Sequence, residues 1–131
     1  MNEIVNLINT IKQVHDSEYV EITGDLADVV FQYHHCYYFA KLLQKFYPEG
    51  EFYIKNDGSH IALKVGNYLY DSKGAFIDND FHPVEGEDWI SIEAIMIPSN
   101  KILREKLNKF VDDIYNEIEA LYYSESNKLK R

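Results

Sequence analysis

"HIALKVGNYLYDSKG", residues 60–74, decides the fold. HIALKV and YLYD flank Gly66-Asn67, a dipeptide suited to a two-residue hairpin turn. The segment therefore predicts two antiparallel strands. With the turn at 66–67, the mirror of His60 falls near residue 73. His60 and Asp71 then lie near the same end of adjacent strands.

Upstream, EFYIKN reads as a strand and DGS as a turn. Before them, Asp25 can cap a helix that begins at Leu26, and Asp28 favours its positive end. The apolar pattern runs on through Phe46, where Tyr47-Pro48-Glu49-Gly50 stops it. Ile4, Leu7, Ile8, Ile11 and Val14 make residues 3–14 an amphipathic helix, and DSEYVEITGD breaks its period. Downstream, WISIEAIMI is rich in β-branched residues and predicts a strand returning to the same sheet. Ser99 then caps a closing helix over 99–123, with an apolar stripe of Leu103, Leu107, Phe110, Ile114, Ile118 and Leu121. SESNKLKR, residues 124–131, reads as a frayed polar tail. The order implies an α+β fold, with helices packed on a small antiparallel sheet in one domain spanning 1–131.

The chain has 131 residues, 46% hydrophobic and 15% aromatic, enough to bury a core. Twenty-two acidic residues against thirteen Lys and Arg give a formal charge of −9. That balance argues against direct nucleic-acid binding through a broad basic surface. It leaves room for a basic protein partner. One cysteine cannot form an internal disulfide, which suits a reducing cytoplasm. The N-terminal stretch reads as neither a signal peptide nor a membrane span. The Asn-, Ile-, Lys- and Tyr-rich composition fits a low-GC bacterium or a phage in its host.

Cys36 follows His34 and His35. As a nucleophile it needs an imidazole to favour the thiolate, and that imidazole needs a third group to fix its tautomer. His60 and Asp71 are candidates for both roles. As a small apolar residue, Cys36 would simply face a core. As a zinc ligand it, or His34, would need His60 or His82, but no CxxC or HExxH spacing occurs.

CYYFAKLLQKFYPEGEFYI followed by HIALKVGNYLYDSKG resembles the core of papain-like and transglutaminase-like cysteine enzymes. It is especially similar to small bacterial and phage proteins of unassigned function with a CYxFA…FP.GE.Y…H…YD..G pattern. The resemblance covers residues 36–74 and implies Cys36 as nucleophile, His60 as general base and Asp71 as orienting acid. Gln32 and the Cys36 N–H would help bind an oxyanion. The implied activity is a cysteine hydrolase or acyltransferase acting on an amide or thioester bond, without cofactor or metal. Such a site puts the cysteine at a helix N-terminus, so the helix should break near Tyr33-His34-His35.

A second function comes from another stretch. Residues 74–100 lack Lys and Arg but hold Asp78, Asp80, Glu85, Glu87, Asp88 and Glu93. All of these but Glu93, together with Trp89, form a candidate docking surface for a basic partner. The chain would then be a non-catalytic phage or mobile-element protein that inhibits a host nucleic-acid-binding or defence protein. Its partners would be proteins or peptides. The stripe over 99–123 also predicts a homodimer or partner contact, because Tyr115, Tyr122 and Tyr123 extend it past a short sheet.

Overall fold

The computed structural model describes the backbone of residues 2–23 and 36–129, and the side chains of residues 3–13 and 36–120. Helix α1 covers Asn2–Thr23, and α2 is described over Cys36–Phe46. Strands β1 (Glu51–Lys55), β2 (Ile61–Val65), β3 (Tyr68–Asp71), β4 (Gly74–Phe76) and β5 (Phe81–Pro83) follow, then α3 (Asp88–Ile95) and α4 (Lys101–Leu129). All strand pairs are antiparallel, in the order β4-β3-β2-β1-β5. The fold is α+β, four helices with a five-stranded sheet among the described residues.

The hairpin forms as its sequence predicts. Val65 pairs with Tyr68 across Gly66-Asn67, and Gly66 has φ 62°, the left-handed conformation this turn requires. The Leu63–Tyr70 pairing, carried to the strand ends, puts residue 60 opposite 73.

One sheet face is apolar and packs on helices. Leu63 and Tyr70 join Ile4, Leu7, Ile8 and Ile11 of α1, Phe39, Leu42 and Leu43 of α2, and Leu107, Phe110, Val111, Ile114 and Ile118 of α4 in the main core. Helix α2 lies on β2 and β3 and against α4, while α1 touches α4 and β4. A smaller cluster of Cys36, Ala40, Ile54, Ile61, Ile92 and Met96 fills the end nearer β1.

The other sheet face is concave. Strands β4 and β5 are opposite edges, yet only residues 77–80 connect them. In a flat sheet, edges four spacings apart stand about 19 Å from each other. Five fully extended steps reach about 18 Å at most. The sheet therefore curls until Phe76 and Phe81 meet, ring centroids 5.4 Å apart. Strand pairing places Tyr53, Ala62, Lys64, Leu69, Phe76 and Phe81 on this inner face. Ala62 is fully buried, and its small side chain suits the crowded inside of the curve.

Several expectations need correction. WISIEAIMI is not a strand: residues 88–95 form α3, and β5 takes the edge position beside β1. A strand would put Ile90 and Ile92 on one face. Instead Ile92 is fully buried and Ile90 is 74% exposed, while Trp89, Ile92 and Met96, at helical spacing, all meet the smaller cluster. Tertiary burial overrode β propensity. The cap of α4 is Asn100, whose Oδ1 accepts the Leu103 N–H at 3.1 Å, rather than Ser99. Helix α1 continues through DSEYVEIT to Thr23, since no Gly or Pro interrupts it before Gly24. Helix α4 runs on to Leu129, so the tail is helical rather than frayed over most of its length. The expected helix start at Asp25 and Leu26 and the break at Tyr33-His34-His35 fall outside the described residues. So do Gln32 and the side chains of Leu121, Tyr122 and Tyr123.

Gly50 shows how tightly the main core meets the sheet. A Cβ there would lie 2.8 Å from Leu63 Cδ2 and 2.9 Å from its Cγ, and Leu63 is itself fully buried. Gly50→Ala should therefore lower stability by about 1–3 kcal/mol through overpacking. Urea denaturation followed by far-UV circular dichroism would show it. An unchanged midpoint would mean that Leu63 has room to retreat.

Candidate functional site

Asp71 ends β3 and opens the DSKG turn, so its carboxylate faces two ways. Oδ1 accepts the backbone N–H of Lys73 at 2.8 Å, which closes the turn. Oδ2 accepts a hydrogen bond from His60 Nε2 at 3.0 Å. Both residues are buried. An ionised carboxylate only accepts, so Nε2 carries the hydrogen and Nδ1 is left as the working nitrogen.

His60 Nδ1 is buried and has no hydrogen-bond partner among the described residues. A buried polar atom left open calls for an explanation, and catalysis is one. Cys36 is a further neighbour of the ring, close enough to act on it both through hydrogen bonding and through charge. Yet no bond of good geometry closes between them. The Cys36 Sγ instead points at Met96 Sδ of α3, 3.6 Å away. The three sequence-predicted residues thus gather at one place, with the Asp71–His60 link made and the His60–Cys36 link open.

Burial is the largest influence on His60 and acts against its charged form. The hydrogen bonds and charges of Asp71 and Cys36 together outweigh it and raise the imidazole from 6.5 to about 9. His60 is therefore charged at neutral pH.

An open groove of about 650 Å³ runs beside the pair, between the mouth of the curled sheet and the end of α3. His60 and Asp71 line it together with Lys55, Lys73, Phe76, Asp78, Phe81 and Ile95. Cys36 does not line it. The thiol is 4% exposed and sits in the smaller apolar cluster, so its bland role as a core residue is also real. Sequence reasoning missed Lys55, Lys73, Phe76, Phe81, Ile95 and Met96. The signal for the two phenylalanines was the short spacing of GAF and FHP, which makes a pair of brief strands inside the acidic run.

Several of the acidic residues are engaged with one another and with their neighbours. Asp78 Oδ1 accepts the Asp80 N–H at 2.9 Å, and Asp80 Oδ1 accepts from Asn56 Nδ2 at 2.9 Å. Asp88 Oδ2 meets His82 Nε2 at 3.0 Å and the Glu85 N–H at 2.8 Å. Trp89 is partly buried against Tyr37 and Phe52, with centroids 5.8 and 6.5 Å away. Asp78, Asp80, Glu85 and Glu87 are exposed. Tyr115 packs on Phe46 at 4.9 Å, under Lys45. Among the described residues no group of three His, Cys, Asp or Glu could hold a metal ion, and no helix is long and apolar enough to cross a membrane.

A raised histidine gives folding a pH dependence of known sign. Its contribution is complete below the unfolded value of 6.5, and it is lost as pH rises through about 9. Urea midpoints of the wild type should fall across that window relative to those of His60→Gln. Parallel pH profiles for the two proteins would refute the charged His60.

The residues that meet at this site lie inside a longer stretch of sequence matched by one family model, that of the phage YunG-like proteins, over residues 7–125. No curated protein and no solved structure matches the chain. The papain-like core expected from the sequence gains no support from these comparisons, and the α+β class stands without it. With nearly the whole chain matched, the protein belongs to the phage YunG-like family.

Proposed function

We propose that this phage-family protein is a cysteine-dependent hydrolase or acyltransferase, with Cys36 as nucleophile, His60 as general acid and base, and Asp71 as the residue that orients His60. The observation that carries this reading is the division of labour at one ring: Nε2 is held by Asp71, Nδ1 is left open among the described residues, and Cys36 is close enough to act on the ring. An imidazole fixed this way can shuttle one proton in one direction. The likeness of residues 36–74 to papain-like enzymes supports the same roles.

In the reactive form the proton resides on His60 and the sulfur attacks. A carbon–sulfur bond forms at the substrate carbonyl, the tetrahedral oxyanion collapses, and the amine or thiol departs with the proton from His60. Water, or another acceptor, then gives its proton to His60 as it attacks the thioester, and Cys36 is released. The arrangement described here is a resting one. Sγ must leave Met96 and turn toward Nδ1 before a carbonyl can reach it.

The test uses a simple acyl donor, p-nitrophenyl acetate. Wild-type protein should gain one acetyl group on Cys36 by mass spectrometry and then lose it, and Cys36→Ala should gain none there. Alkylation by iodoacetamide at neutral pH should be at least about tenfold faster in wild type than in His60→Gln, since a nearby imidazolium speeds a thiolate reaction. A passive core cysteine would instead react slowly in both, limited by opening of the cluster. Equal rates with no acetyl adduct would overturn the enzymatic reading in favour of a binding protein.

A further inference from the structure

We infer that the groove beside His60 takes a peptide segment bearing a bulky apolar side chain with a carboxylate within two residues of it. The inference rests on the proposed cysteine site, whose substrate class it names. Two features of the groove carry it, one apolar and one electrostatic.

The apolar feature is a wall of Phe76 and Phe81, which the described residues leave only half-buried. Phe76 and Phe81 meet edge to face at 5.4 Å, and Phe81 also stands edge to face with His60 at 6.2 Å. Ile95, 56% exposed in the last turn of α3, lines the same groove. Ile77, 70% exposed, lines a smaller hollow of about 310 Å³ that shares Phe81 and Asp78 with the main groove. Concave apolar surface with a few polar groups is the usual composition of a ligand site. A volume of about 650 Å³ exceeds one side chain and leaves room for adjoining backbone.

The electrostatic feature is a local reversal of sign. The chain carries −9 overall, yet Lys55, Lys73 and the charged His60 line this groove. The charges of His60 and Asp71 offset within their pair, which leaves Lys55 and Lys73 against the single acid Asp78. Lys55 makes no salt bridge among the described residues. It is the direct cross-strand partner of Phe81, so cation and aromatic wall stand side by side. An occupant that answers both presents a carboxylate close to its apolar group. A basic peptide meets the wrong sign.

Full-length Cys36→Ala, which binds without turnover, is the protein to use. Three fluorescein-labelled pentapeptides serve as probes: Gly-Phe-Gly-Glu-Gly, Gly-Ala-Gly-Glu-Gly and Gly-Phe-Gly-Lys-Gly. Fluorescence anisotropy should show the first binding at least about tenfold tighter than either of the others. Lys55→Glu should reverse the preference between Glu and Lys peptides. Ile95→Ser, at an exposed position that does not threaten folding, should erase much of the preference for Phe over Ala. Equal binding of the three peptides, no binding of the first below about 1 mM, or an unchanged order in both variants would overturn the inference. Discrimination that survives while wild-type Cys36 forms no acetyl adduct would sink the cysteine chemistry alone and leave the groove as a peptide-binding site.

Discussion

Four residues between Phe76 and Phe81 must carry the chain from one edge of a five-stranded sheet to the other, and the rest of the site follows from that constraint. No flat sheet satisfies it. The sheet bends, its inner face turns concave, and the two edge strands approach through a pair of aromatic rings. The outer face stays free to pack on α2. A groove opens at the mouth of the curve, lined by Phe76 and Phe81 together with His60 and Asp71.

The buried His60–Asp71 pair sits at that mouth and links the ends of β2 and β3. One carboxylate does two jobs, closing the turn into β4 with Oδ1 and fixing the ring with Oδ2. The turn-forming and histidine-holding readings of Asp71 are therefore not rivals. Cys36 has the same doubleness. It fills an apolar cluster with Ala40, Ile54 and Ile61, and it lies close enough to His60 to act on the ring.

What the sequence made legible was local. Gly66-Asn67 announced the hairpin, whose two-residue turn set the register and brought His60 and Asp71 to one end. The terminal helices were legible in their apolar period, though α1 and α4 ran further than their stripes implied. The illegible part was what depends on distant packing. Residues 89–97 carry a β-like composition, but Trp89, Ile92 and Met96 can reach the Cys36 cluster together only from a helix. Strands β4 and β5 have three residues each, too few for any period to register, and they lay inside what read as an acidic loop. The groove is built from those two strands and the end of α3, so its walls were hidden for the same reason.

The curl also changes how the sheet meets other molecules. An open sheet ordinarily ends in two strands whose unpaired N–H and C=O groups can recruit another chain and seed aggregation. Here each edge strand is three residues long, the two are drawn toward one another across the Phe76–Phe81 contact, and α1 lies against β4. Neither edge offers a long, flat template. The bend that shapes the groove thereby leaves little border for edge-to-edge pairing, and Pro83 removes one backbone donor from what remains of β5.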